Sequence, residues 1–513
     1  MNIAGTTTLA GTIFAHASRQ PAKEALWCDG VTLSYAELAA RAAYLSRSLF
    51  DLGVKQGAHI GVALPNSVEF ALLLVAAADL GAVLVPVSPA LPATAMQRAF
   101  TATDVTHVVA PIQILRQLRE ECPAFMQGLP GVCIAADNAG GDPSLVTLSD
   151  GQAAPLHLGC AEDAYILTMT SGSTGDPKPI VFEQRTKLVR AQTTIDLYSL
   201  NESERILAAT PMYHSLAQRL TLMPLLLGGT AVILPRFSVP LWLETIATQA
   251  VTFTIAVSSQ LAQIARDESA ALSKSSLRCI VSSSALLETP LKQRLAELLR
   301  CEFHECYGTS ETATATDLAV NPCDMSLASV GRALPGVDLR IVDGNGNDVP
   351  IGGEGEIVCR TPLLFAGYYK RPELTRQAML GDYFRTGDAG RLDGNGYLFF
   401  RGRLKEIIIT GGINVYPKDI EEAVETLPWI AECAAFALPD EGLGEIVALA
   451  VVARPGMPAD VRGLKMRCVE CLADYQIPRK IFVLDDLPRN AMGKILRREL
   501  PSKAAAVSGA GHA

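Results

Sequence analysis

The chain has 513 residues, of which 49% are hydrophobic and 19% charged, with a net charge of −9. That length suits about three domain-sized units with sizeable cores, and the composition excludes an intrinsically disordered chain. The acidic balance provides no general basic surface, so nucleic acid is excluded as an expected partner.

The first fully charged basic residue is Arg19, which gives no basic leader of the secretory kind. The longest apolar runs, 71–87 and 220–235, are interrupted by Asp79 and by Gly228-Gly229, so no membrane span is expected and the cytoplasm is the expected compartment. Twelve scattered cysteines argue against a disulfide framework. Cys468 and Cys471 have CxxC spacing, but they fall in a helical pattern with no second pair or histidine nearby, and read as buried helix cysteines.

From Thr32 onward, amphipathic helices alternate with short apolar strands. Residues 34–51 form a helix pattern opened by a Ser34-x-x-Glu37 capping box. Residues 59–64 read as a strand, 67–81 as a helix, 82–87 as a strand, and 94–103 as a helix with Thr94 as its N-cap. Two more strands, 105–110 and 132–135, follow. The stretch from Tyr165 to Gln184, YILTMTSGSTGDPKPIVFEQ, then reads strand, polar glycine loop, strand.

After that loop the alternation repeats, with helices at 186–197, 215–227, 242–249, 260–266 and 290–299 between strands at 205–209, 231–234, 253–257, 279–281 and 302–306. Such alternation predicts helix-flanked, parallel-type sheets of an α/β protein. Beyond Leu334 the composition becomes β-rich, with segments 337–342, 355–360 and 398–401 separated by two Asp-Gly-Asn-Gly turns, the mark of a small antiparallel, barrel-like unit. A small α+β pattern occupies 407–500, and the alanine-rich tail is expected to be unstructured.

The chemistry concentrates in five stretches. In the 170–178 loop, the hydroxyls of Thr170, Ser171, Ser173 and Thr174, with the backbone N–H groups freed by Gly172 and Gly175, can wrap an anion. Lys178 adds a full positive charge. The order of these residues is not that of a GxxxxGK[ST] loop. Cys306-Tyr307-Gly308-Thr309-Ser310-Glu311-Thr312 sets one carboxylate beside hydroxyls, as Mg²⁺ on nucleotide phosphates requires. In Tyr383-Phe384-Arg385-Thr386-Gly387-Asp388 an acid on a loop suits the two vicinal hydroxyls of a ribose. Gly402-Arg403-Leu404-Lys405-Glu406 leads into Gly411-Gly412, and Leu487–Lys494 carries a lysine on a glycine-hinged loop. Taken singly, each is an ordinary turn or a solvated charge.

Taken together and in this order, TSGSTGDPKP, YGTSE, YFRTGD, GRLKE-x₄-GGINVYP and PRNAMGK resemble the adenylate-forming superfamily over about residues 10 to 500, and most closely its acyl- and aryl-CoA ligase branch. The resemblance implies a large N-terminal domain over 1–403 that holds ATP and the acid, a mobile C-terminal lid over 404–501 and a tail over 502–513. It implies that Thr170–Lys178 holds the β- and γ-phosphates, that Tyr307 stacks on adenine beside Ser283, Ser284, Ala285 and Gly308, and that Thr309 touches the α-phosphate. Glu311 would bind Mg²⁺, Asp388 and Arg403 the ribose, and Lys494 would bridge the acid's carboxylate and the α-phosphate. Lys405 matches the hinge about which the lid turns, bringing Gly411 and Gly412 beside a tunnel for the thiol of coenzyme A or of a phosphopantetheinyl carrier protein.

The implied reaction is ATP-dependent activation of a carboxylic acid to acyl-AMP followed by transfer to that thiol; a ligase loading an acyl-carrier protein, a silent nucleotide-binding scaffold and a nucleotide hydrolase are the alternatives. Tyr213 and His214, with Val257 and Ser258, match the region that lines the acid pocket. PMYHSLAQRL contains no aspartate to pair with an α-amino group, which argues for a fatty or aromatic acid over an amino acid. Gln218 and Arg219, polar exceptions on an otherwise apolar helix, read as a surface-facing pair, with contact to a polar substituent of the acid as the alternative. Pro179, Ser283, Leu286 and the Val257-Ser258-Ser259 turn depart from the family pattern without removing a catalytic group.

Overall fold

The structure is a computed structural model that describes residues 8–137, 142–170, 178–266, 275–323, 325–490 and 493–510. Two large sheets form its body. The first has six strands, in the order Cys133–Ala135, His107–Ala110, His59–Val62, Val83–Pro86, Ala164–Thr170, Lys178–Glu183. All neighbours are parallel except the last pair, which is antiparallel and closes on the register Thr170↔Lys178. The two strands expected on either side of the glycine loop are thus present, while residues 171–177, and with them Ser171, Gly172, Ser173, Thr174 and Gly175, lie outside the described residues.

The second sheet has nine strands, six of them mutually parallel: Glu302–Thr309, Cys279–Ser283, Phe253–Val257, Arg205–Ala208, Thr230–Ile233 and Glu24–Cys28. Antiparallel strands close both edges, Val31–Ser34 at one and Ala313–Ala319 with Arg332–Ala333 at the other. The main core joins residues of both sheets with the helices Val68–Leu80 and Ser215–Leu227. Every residue of Val68–Leu80 but Glu69 is buried, so this helix has no solvent face. Asp79 is tolerated there because its carboxylate accepts from the backbone N–H of Leu156 (2.8 Å) and His157 (2.9 Å).

Sheet three is a five-stranded antiparallel unit over 338–403, and sheet four, over 408–484, is backed by the helices Pro417–Val424 and Val461–Cys471. The Ser34–Glu37 capping box is complete. Thr94 is not a cap: the helix is Ala93–Ala102 with Pro92 at the N-cap and no side-chain cap bond, because Pro92 already fixes the entering backbone. The tail is not unstructured throughout. Leu500–Ala510 is helical, since Leu500 and Ala504 lie on one helical face and bury against Phe436, Leu484 and Leu487. Of the CxxC cysteines, Cys468 is buried but Cys471 is exposed, because three residues round a helix end need not share its buried face.

Candidate functional site

The site lies where the second sheet, the antiparallel unit and the C-terminal segment meet, at the C-terminal ends of the parallel strands, where open α/β sheets bind ligands. Tyr307 and Thr309 do not sit on a loop: the strand Glu302–Thr309 runs through them and turns back at Ala313. Gly308 is required by this hairpin itself, because a Cβ there would meet the Ala313 carbonyl at 1.8 Å; the close approach is to backbone. Thr309 and Thr312 lock the turn, with their hydroxyls 3.1 Å apart and the Thr312 N–H donating to Thr309 Oγ1 at 3.1 Å. Glu311 at the tip accepts from the Tyr368 hydroxyl at 2.9 Å on Oε1 and stays half-buried.

Asp388 also belongs to a strand, Tyr383–Leu392, entered through Gly387 with φ 68°. That strand pairs Asp388 with Arg403 across the ladder, which is why the ion pair forms. Tyr307 donates its hydroxyl to Asp388 Oδ2 at 2.8 Å, and Arg403 Nε lies 2.8 Å from Oδ1. The Arg403 contact has ion-pair distance without hydrogen-bond alignment, so Oδ1 is buried with no hydrogen-bond donor. Burial pushes the Asp388 carboxyl up, against the opposing pull of Arg403, the Tyr307 hydroxyl and Lys494. The Tyr307 ring is itself buried, 5.8 Å from the ring of Phe400.

Ser283 ends its parallel strand, and Ser284 follows with φ 78°, a left-handed conformation of the kind that concentrates at functional sites. Ala285 is held from behind, its carbonyl accepting from Ser258 Oγ. Ser258 opens the helix Ser258–Arg266, and Val257 before it is buried. Tyr213 and His214 precede the helix Ser215–Leu227 with ring centroids 4.6 Å apart. Burial lowers the His214 pKa to about 4, so the ring is neutral near pH 7, and its Nε2 is buried without a hydrogen-bond partner. Tyr213 and Val257 line a cleft of about 440 Å³ together with Pro211, Ser259, Gln260 and, from the C-terminal segment, Gly493.

Gly493 packs so closely on Ser259 that a Cβ would lie 2.1 Å from its hydroxyl. Lys494, next in the chain, lies in the electrostatic field of Arg403, Glu406 and Asp388. Its pKa is lowered, first by burial and then by Arg403, against the raising effect of the two carboxylates. Lys178 begins the strand Lys178–Glu183 at the mouth of the glycine loop, opposite Thr170. Lys405 occupies an exposed single-turn helix, Leu404–Glu406. Gly411 and Gly412 form the positive-φ turn of the hairpin between Ile408–Thr410 and Ile413–Val415, and Gly411 N–H donates to Leu443 O at 2.9 Å.

Two groups around the site, Asn66 and Arg190, escaped the sequence reading, and two more, Gln218 and Arg219, were placed wrongly by it. Asn66 shapes the entry of the Pro211–His214 segment, donating to Thr210 O and Leu234 O at 2.9 Å and accepting from Met212 N–H at 2.6 Å. Arg190 braces the Glu311 hairpin by donating to three main-chain carbonyls. Gln218 and Arg219 do not face the surface. Gln218 is fully buried, accepting from Lys187 Nζ at 3.1 Å and donating to Met212 O at 3.1 Å. Arg219 lies deep beside Cys306 and Tyr198. The helix is covered on both sides, a tertiary fact that its residue pattern could not carry.

The sequence matches the AMP-binding enzyme family over residues 13–369 and the AMP-binding enzyme C-terminal domain over 419–494. It is 32% identical to an indoleacetate–CoA ligase of Aromatoleum aromaticum, over 94% of this chain and 96% of the relative. It is 30% identical to a sulfoacetate–CoA ligase of Cupriavidus necator, over 96% and 97% respectively. The fold is similar to that of ATP-bound MatB from Rhodopseudomonas palustris, with a TM-score of 0.88 at 27% identity, over 99% of this chain and 100% of that one. No helix among the described residues is long and apolar enough to cross a membrane. The chain therefore belongs to the AMP-binding enzyme family, in the acyl- and aryl-CoA synthetase branch of the adenylate-forming superfamily.

Proposed function

We propose that the protein activates an unaminated carboxylic acid with ATP and passes the acyl group to the thiol of coenzyme A. The observation that carries this reading is the meeting of Lys494, from the C-terminal segment, with the Tyr307–Asp388–Arg403 group. A carboxylate oxygen attacks the α-phosphorus, the bond to the bridging oxygen breaks, and pyrophosphate leaves. Both reactants are anions, so the barrier is largely electrostatic, and the Lys494 ammonium, desolvated and fixed, stabilises the charge that accumulates. Asp388 Oδ1, buried without a hydrogen-bond donor, fits a ribose hydroxyl as the missing donor, and Arg403 opposes the upward push of burial on that carboxyl.

Glu311 fits Mg²⁺, offering a half-buried hard carboxylate at a hydroxyl-lined turn, oriented by Tyr368. When bound there, the ion supplies neutralising charge to the phosphate oxygens. In the second step the thiol sulfur attacks the acyl carbonyl, AMP departs with the bonding pair, and the thiol proton passes to solvent. Lys405 would be the pivot that brings the Gly411-Gly412 hairpin to the cleft for that step, with the division between body and lid near Arg403.

The test is acid-dependent exchange of pyrophosphate into ATP, followed by AMP release on adding coenzyme A or, in parallel, a phosphopantetheinylated carrier protein. Exchange followed by coenzyme A-dependent AMP release supports the reading. Transfer to the carrier protein alone would reassign the acceptor, release of ADP and phosphate would make the protein a hydrolase, and ATP binding without exchange would leave a scaffold.

A further inference from the structure

Between the helices Gln184–Leu197 and Ser215–Leu227 the fold gathers three cations, Lys187, Arg190 and Arg219, each within the field of the others. Two of them are accounted for by the protein. Arg190 spends its guanidinium on carbonyls, donating to Leu363 O and Glu311 O at 2.7 Å and to Ser310 O at 3.0 Å. Lys187 donates to Gln218 and lies 4.5 Å from the centre of the Phe182 ring, and burial lowers its pKa well below the usual lysine value.

Arg219 differs. A guanidinium has five N–H donors, and here Nη1 makes a long 3.4 Å bond to Thr314 Oγ1. Among the described residues no carboxylate pairs with it. Two acids on the same hairpin are committed elsewhere: Glu311 to the Tyr368 hydroxyl, Asp317 to the Tyr198 hydroxyl (2.8 Å) and His304 (2.7 Å). Arg219 is closely surrounded by protein and yet keeps accessible surface, while its neighbours Ala217, Gln218, Leu220 and Thr221 are buried. Its hydrogen-bond partner Thr314 pairs with Gly308 across the hairpin, so the guanidinium reaches the strand that carries Tyr307 and Thr309. It stands beside Cys306, whose thiol is within reach of Ser283 at the strand ends. It also lies five residues beyond His214, about 7.5 Å deeper along the same helix.

We propose that Arg219 is the specificity-determining residue of the acid pocket, and that the acid activated here carries a second anionic group, a carboxylate or sulfonate, which Arg219 binds at the end remote from the reacting carboxylate. This rests on the adenylation reading above. Closing the pocket on a purely hydrocarbon tail would leave the guanidinium buried with its donors unmet, the costly outcome for a charge. An anionic oxygen pair restores both the charge balance and a forked, two-bond contact. The same group discriminates against acids with neutral ends, because it penalises them as well as rewarding the dianion.

The test measures pyrophosphate release with matched acids, aliphatic and aromatic, each as the dicarboxylate or sulfo-carboxylate and as its neutral monomethyl ester or monoamide. The native enzyme is expected to prefer the dianion by on the order of 100-fold in kcat/KM. Arg219→Met removes that preference while leaving the neutral acids within roughly threefold, Arg219→Lys restores part of it, and the melting temperature of Arg219→Met is no lower than that of the native protein. Release with neutral-ended acids alone overturns this proposal but not adenylation, as does an Arg219→Met variant that slows both classes alike. Release with neither class, from protein that binds ATP, overturns adenylation and this proposal together.

Discussion

Asp388→Asn isolates one charge while preserving side-chain volume. The Asp388 side chain is 3% exposed, accepts from Tyr307 at 2.8 Å and has Arg403 at 2.8 Å, with Oδ1 lacking a hydrogen-bond donor. An amide oxygen can still accept from Tyr307, so the fold is retained. The Arg403 side chain is 44% exposed, and solvent compensates for its lost partner, leaving a stability cost within about 1 kcal/mol. The larger effect falls on the nucleotide. A hydroxyl bond to an ionised acceptor is worth about 1.5–3 kcal/mol against about 0.5–1.5 for a neutral one, so the substitution costs roughly 1–1.5 kcal/mol, or about 5- to 13-fold in kcat/KM for ATP. Pyrophosphate exchange with ATP and with 2′,3′-dideoxy-ATP reads this directly. The deficit should appear with ATP and shrink severalfold with the dideoxy nucleotide, which has no hydroxyl to lose. Equal deficits with both nucleotides, or none with either, would refute the assignment of Asp388 to the ribose.

Lys494→Ala should slow acyl-AMP formation by roughly 10²- to 10³-fold and leave thioester formation from supplied acyl-AMP unchanged, as rapid-quench assays of the two half-reactions would register. Because the Lys494 pKa is lowered, adenylation should decline with rising pH earlier than a free lysine would dictate; Glu406→Gln, removing a neighbour that raises it, moves that limb lower still, and a pH–rate profile that does not move excludes Lys494 as the titrating group. Lys292 is wholly buried, pairs with Glu305 and donates to Leu327 O (2.8 Å) and Ser329 O (2.9 Å), so Lys292→Met should destabilise the protein by about 3–5 kcal/mol in urea titrations, by leaving Glu305 uncompensated. Burial and then Glu288, Glu421 and Glu422 raise Glu425 from 4.5 to about 8. The folded state therefore holds a proton that the unfolded chain gives up within that window, and stability falls as pH rises through it. Glu425→Gln should flatten this part of the melting-temperature profile, and an unchanged slope would exclude Glu425 as its source.

The residues that meet at the site were legible as short stretches, and their grouping came through the family resemblance that those stretches carry together. The glycine loop between two strands, the Ser34–Glu37 cap and the grouping of Tyr307, Asp388, Arg403 and Lys494 follow from motif and order. The conformation of those stretches was less legible. Asp388 was expected on a loop and Tyr307 just past the end of its strand, and both lie in strands, because edge pairing with 313–319 and with 398–403 extends each ladder through the motif. A polar, glycine-containing segment carries no periodic signal that could announce such pairing.

The sequence by itself determined the alternation of elements and the two large sheets, since turns, caps and apolar periods are local properties. Only the tertiary structure decided which polar side chains are buried and what they are left to bind. Gln218 and Arg219 share one helix and one kind of signal, yet one is satisfied by Lys187 and a carbonyl while the other has no carboxylate partner among the described residues. That difference arises from which neighbours the packing of distant segments brings to each face, and no local pattern encodes it.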